Sequence, residues 1–255
     1  MKRFIIIAAS LLWGAALFAQ ELVIRIDDMG ALHSVNEASI DTYKNGIAQS
    51  AEVLVVGSWF PEAVKMLKEN PGLDVGVHLA ITSEWENVKW RPLTDCPSLV
   101  DENGYFFPMM GPNPAYPGQS VMENASKFDI KEIEKEFRAQ IEFALKNIPQ
   151  ITHISGHMMS TAYSPEVNAL VQKLSKEYNL PSVDRFDAFE QYDFEYVGYD
   201  GPKATAEEKL ASFIKMLDKL EEGKRYMFVD HPAYNDSEMQ TVMHVGYEDV
   251  AVDRQ

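Results

Sequence analysis

Short apolar segments rich in β-branched residues alternate with amphipathic helical segments along most of this chain. The strand-like runs cover residues 21–27, 51–56, 73–79, 151–155, 181–186 and 225–230. Between them the spacing predicts helices over 35–44, 58–69, 129–146, 164–178 and 205–222. Such alternation implies parallel strands joined by right-handed crossovers. That leaves a (β/α) barrel or an open doubly wound sheet. No Gly-rich phosphate loop follows the first strand, which disfavours the nucleotide-binding version. With 255 residues, 46% of them hydrophobic, the chain suffices for one domain with a substantial core.

Local signals mark the helix ends. Asn45-Gly46 is a stop, Ser58 a cap, and Ser164-Pro165 a start. Asp129 with Glu132, and Thr205 with Glu208, read as capping boxes. The fourth helix has an apolar face of Val167, Leu170, Val171, Leu174 and Tyr178. Residues 82–128 form a long irregular stretch with repeated prolines and the aromatics Trp85, Trp90, Tyr105, Phe106, Phe107 and Tyr116. It fits the lining of a binding cleft and a packing flap equally well.

The polar exceptions fall at strand ends. Asp27-Asp28 closes the first strand and His78 the third; His157 follows the fourth and His231 the sixth. In parallel α/β folds the carboxyl ends of the strands share one face, where active sites are built. Two neutral imidazoles and a carboxylate suit a divalent ion with positions left for water. Such an ion lowers the pKa of bound water toward about 7 and polarises a carbonyl. Of the two aspartates, one is free to act as base, and His231 is available to protonate a leaving amine. Each residue also has a plain structural reading. An Asp-Asp pair after a strand often caps a helix. His78, between Val77 and Leu79, fits a satisfied core histidine. His153 reads as core or as support for the site, His33 and His244 as loop or surface residues, and Met158-Met159 as packing. The alignment of several polar groups at strand ends favours the metal site.

Residues 1–19 read as a signal peptide, with Lys2 and Arg3 before an apolar run. The run is short for a membrane span of about 20 residues, so an uncleaved anchor is the weaker reading. Cleavage after Ala19 leaves a mature chain from Gln20, exported to the periplasm or medium and free of the membrane. The net charge of -16 disfavours nucleic acid and anionic membranes and favours a neutral or cationic substrate. Cys96 is the single cysteine, so neither an internal disulfide nor a thiolate metal cluster is available. It reads as an idle thiol.

Asp27-Asp28-Met29-Gly30 followed by Ser34-Val35-Asn36, Gly46-Ile47, and the stretch from Pro71 through Gly76-Val77-His78-Leu79 occur in an order that resembles the YdjC family of carbohydrate deacetylases. That family includes chitooligosaccharide deacetylases. Pro92-Leu93, Ser98-Leu99-Val100-Asp101, Gly104 and Phe106 follow in the same order, as do Thr152-His153-Ile154-Ser155-Gly156-His157 and His231-Pro232-Ala233-Tyr234. The resemblance covers the chain from about Leu22 onward. It implies a single-domain distorted (β/α) barrel over 20–255 that holds one divalent ion, magnesium or zinc. By motif position the ligands are Asp28, His78 and His157 and the general base is Asp27, with Arg185 and His231 as lesser members. The implied substrate is an N-acetylated amino sugar or short oligosaccharide; a homodimer is left open.

The chain departs from the family's pattern at four places. Ser155 stands where Asp is usual, Gly156 where Ser is frequent, Met159 where a second His often follows, and Ala233 where Gly is usual. The family continues through another helix, so the C-terminal end reads as truncated. The expected function is a metal-dependent deacetylase with a metal-bound water as nucleophile. The alternatives are an exported sugar-binding relative without turnover, motivated by Ser155 and Met159, and a metal-dependent hydrolase of another amide or ester.

Overall fold

The computed structural model describes residues 21–184, 194–246 and 249–255. The leader and Arg185 therefore lie outside the described residues. Six strands, β1 (Glu21–Met29), β2 (Ser50–Val53), β3 (Asp74–Leu79), β4 (Ile151–Gly156), β5 (Phe194–Val197) and β6 (Arg225–Asp230), form one sheet. Every pairing among them is parallel, in the order β4-β3-β2-β1-β6-β5. Read as a ring, that order runs consecutively from β5 through β6 to β1 and on to β4. It is the order of a (β/α) barrel opened between β4 and β5. The sheet is thus a curled half-barrel, as the distorted-barrel reading expects, and not an open doubly wound sheet.

Parallel strands need crossovers. These run through α1 (His33–Lys44), α2 (Phe60–Glu69), the short α3 (Val121–Asn124), α4 (Ile130–Asn147), α5 (Pro165–Tyr178) and α6 (Ala206–Leu217); α7 (Val250–Arg254) follows β6. Each crossover returns the chain to the same end of the sheet, so the carboxyl ends of the strands line up. Helix α5 buries Val167, Leu170, Val171 and Leu174, the face that its 3.6-residue period marks. Ser164 caps it by accepting the Val167 N–H. Helix α4 buries Ile133, Phe137, Ile141 and Ala144.

Several local expectations fail for identifiable reasons. Ser58 does not cap α2, whose N-cap is Trp59 without a side-chain bond. Asp129 caps α4, but Glu132 turns away to accept from the backbone and hydroxyl of Ser98. Glu208 accepts the Ala204 N–H, one residue before the cap position, and α6 stops at Leu217. The predicted strand over 181–186 is a single bridge from Ser182 to Ile154 as far as the described residues reach. Strand β5, half-exposed and with Glu195 inside it, shows no apolar run by which to read it.

The inside of the half-barrel is charged. Arg25, Glu52 and His153 project from β1, β2 and β4 and are all buried. Gly76 on β3 makes room for them: a Cβ there would lie 2.2 Å from Glu52 Oε2 and 2.4 Å from His153 Nε2. Gly76→Ala should therefore lower unfolding free energy by about 1–3 kcal/mol, as overpacking does. Urea denaturation checks this; a midpoint equal to the parent's would show that the pair can move aside.

Candidate active site

The two aspartates reach the same place because β1 is bulged. Ile26 pairs with Ala51 and Met29 with Val53, so β1 carries one extra residue across this step. The extra residue falls at Asp27–Asp28, and Asp28 has φ 72°. In a regular strand, neighbours point to opposite faces; the bulge turns both carboxylates to one side. Asp27 Oδ2 and Asp28 Oδ1 each lie 3.7 Å from His78 Nε2. Aspartate tolerates the left-handed region better than most residues.

His157 leaves the end of β4 in a sharp turn, with Met158 and Met159 at φ 49° and 68°. The turn brings His157 Nδ1 within 3.0 Å of Asp28 Oδ1. The ligand atoms of Asp28, His78 and His157 all lie within 4.8 Å of one another, on three buried residues. Two donors each about 2.1 Å from a shared zinc-like ion stand roughly 3–4 Å apart. The separations of 3.0 and 3.7 Å from Asp28 Oδ1 match that spacing. Asp28 Oδ1 is also buried and accepts no aligned hydrogen bond among the described residues. A buried anionic oxygen needs a positive partner, and either the protonated His157 ring 3.0 Å away or a cation bound between these groups supplies it. The donor set therefore fits a divalent ion.

The surroundings fix each member. Arg254 on α7 donates from Nη2 to Asp28 Oδ2 at 2.7 Å, which leaves Oδ1 for the centre. Burial opposes charge on Asp28, but His157 and Arg254 more than offset it and hold the carboxyl well below its usual range. Arg25 grips Asp27 with two bonds of 2.8 Å, from Nε to Oδ1 and from Nη2 to Oδ2. Burial, with the neighbouring His157, pushes His78 down to about 4, so its ring is neutral at pH 7. His157 Nε2 meets Glu84 Oε2 at 3.0 Å. Burial alone would lower His157, but Glu84 and Asp28 on either side push it up to about 10. The ring between these two carboxylates therefore holds a proton, which a metal ion on Nδ1 would have to displace.

A cleft of about 600 Å³ opens over this cluster, within the size range of small-molecule sites. Asp27, Asp28, His78 and His157 lie in its wall with Glu84, Trp85, His231, His244 and Arg254. His231 is half-exposed there, its Nε2 4.0 Å from Asp27 Oδ2. The structure so brings together five of the six residues singled out by sequence; Arg185 lies outside the described residues. The helix-cap reading of Asp27-Asp28 fails, because the N-cap of α1 is Leu32, with no side-chain bond. His153 is buried behind the site, 2.5 Å from Glu52. His244 is not a free surface residue: it is half-buried in the cleft wall. Most of the aromatic stretch is flap, with Trp90, Phe106 and Tyr116 buried; Trp85 also lines the cleft.

Sequence reading missed Arg25, Glu84 and Arg254. A charge inside the apolar run ELVIRI was a usable signal for Arg25. Glu84 and Arg254 carried none, because their positions depend on how the long loop and α7 fold back.

A family model described as YdjC-like protein matches residues 21–255. A carbohydrate deacetylase of Geobacillus stearothermophilus is 30% identical over 220 residues, 84% of this chain and 80% of the relative. One from Brevibacillus brevis is 28% identical over 233 residues, 87% of this chain and 84% of the relative. A solved structure from Enterococcus faecalis V583, provisionally assigned to cellobiose-phosphate cleavage, superposes with a TM-score of 0.71. It is 25% identical and covers 92% of this chain and 89% of its own.

Proposed function

This chain belongs to the YdjC-like protein family, and we propose that it is a metal-dependent hydrolase that removes the N-acetyl group from an amino sugar or short oligosaccharide. The observation that carries this reading is the meeting of Asp28, His78 and His157 at the floor of one cleft. The relatives named carbohydrate deacetylases support the substrate class.

Asp28, His78 and His157 would hold one divalent ion, magnesium or zinc. When bound, the ion supplies Lewis acidity: it makes a water more acidic and polarises the acetyl carbonyl. Asp27 stands beside the ligands, held in place by Arg25. Each carboxylate oxygen has two lone pairs, so two acceptor positions remain beyond the Arg25 bonds, and Asp27 takes the proton of the attacking water. His231, in the cleft wall near Asp27, gives a proton to the departing amine. Acetate and a free amino sugar result. Arg185 has a lesser part, and the protein works outside the cytoplasm after loss of residues 1–19.

Acetate release from N-acetylglucosamine and its short oligomers tests the reading. We expect turnover that a chelator suppresses and that added magnesium or zinc restores. Turnover indifferent to chelator would contradict it. Sugar binding with no acetate released would favour a non-catalytic binder, and turnover confined to other amides or esters would replace the substrate class.

A further inference from the structure

We propose that Ser155 and Glu52 act as one positioning unit that keeps the proton of His78 on Nδ1 and leaves Nε2 bare toward Asp28. The inference rests on the metal site of the proposed function and goes beyond it, because it assigns work to two residues that touch no ligand position.

The geometry begins with register. His78 on β3 pairs directly with Ser155 on β4, and His78 Nδ1 lies 2.7 Å from Ser155 Oγ. Ser155 Oγ in turn donates to Glu52 Oε2 on β2. All three residues are buried, so water is not the competing partner. A hydroxyl has one proton to give. Glu52, with His153 Nε2 at 2.5 Å and Arg25 Nε at 3.9 Å, is kept as an anion that accepts only. The serine proton is therefore committed to Glu52, and Oγ has only lone pairs to offer His78. The contact at 2.7 Å is then a hydrogen bond only if Nδ1 donates. A neutral imidazole with its proton on Nδ1 has its lone pair on Nε2, the nitrogen 3.7 Å from Asp28 Oδ1. Partners on the far nitrogen of a metal-binding histidine set both its tautomer and its basicity.

Glu52 braces a second member of the site as well. Arg25, which faces it, clamps Asp27. One buried carboxylate so stands behind both the base and a ligand, and Gly76 leaves the space that it occupies.

The test is calorimetric titration of zinc into chelator-stripped protein, with ¹⁵N NMR of the His78 ring. Ser155→Ala should weaken zinc binding by about 10–100-fold and let His78 populate the other tautomer. Ser155→Thr, which keeps the hydroxyl, should recover most of the affinity. Glu52→Gln, which keeps the shape without the charge, should fall between them. Asp28→Ala serves as the reference for loss of the site. If Asp28→Ala loses zinc while Ser155→Ala binds like the parent with His78 still protonated on Nδ1, the positioning unit is wrong and the metal site stands. If Asp28→Ala itself binds like the parent, the site is wrong and the inference falls with it.

Discussion

Asp28→Ala should lower kcat/KM for acetate release by at least about 10³-fold, more than about 4 kcal/mol of transition-state stabilisation. Asp28 is the one anionic member of the triad, so its removal takes both a proposed ligand and the charge that would balance the cation. It also leaves Arg254 without the carboxylate it donates to. Because Asp28 sits at φ 72°, alanine adds backbone strain of its own. Asn tolerates that region, so Asp28→Asn separates loss of charge from loss of conformation. Both variants should be nearly inactive while Asp28→Asn keeps the parent's melting temperature. Steady-state kinetics with circular dichroism make the comparison. Activity of either variant within about tenfold of the parent would detach Asp28 from the chemistry.

The second large effect concerns stability. Glu52→Ala should lower unfolding free energy by about 3–5 kcal/mol, the usual cost of leaving a buried charge without its partner. His153 loses its facing anion, Ser155 its acceptor, and Arg25 the second of its two anionic neighbours, Asp27 remaining. A domain is stable by only about 5–15 kcal/mol, so the midpoint of thermal unfolding should drop by on the order of 10 °C. Burial opposes the charge on Glu52, but His153 and Arg25 prevail and hold its carboxyl well below the usual range. A carboxyl shifted down contributes stability above the unfolded value of about 4.3 and loses it as pH falls through the lower folded value. The difference between parent and variant should therefore be full at neutral pH and shrink progressively as pH falls below about 4.3. Equal denaturation midpoints for the two at pH 7 would show that the buried network adds nothing.

The sequence made the triad legible and left its support hidden, for a physical reason. Asp28, His78 and His157 are polar residues at the ends of apolar strands, and parallel topology brings such ends together whatever the detailed packing. Strand 225–230 and the α5 face were likewise readable, the one from a short apolar run and the other from a 3.6-residue period. The bulge at Asp27–Asp28 was not, because it exists only in the pairing of β1 with β2. Glu132 looked like half of a capping box, but Ser98, 34 residues away, offers it two donors. Ser155 read as a loss relative to the family's usual Asp. Its value depends on Glu52, 103 positions away in the chain and adjacent only across the sheet. Glu84 reaches His157 from a loop with no period at all.

The proposed sharing of one cation by three side chains is open to direct observation. Crystals grown with zinc and measured on both sides of its absorption edge should show one anomalous peak per chain, bonded to Asp28 Oδ1, His78 Nε2 and His157 Nδ1. No peak at that position, or a peak held by other residues while these three stay unliganded, would contradict it.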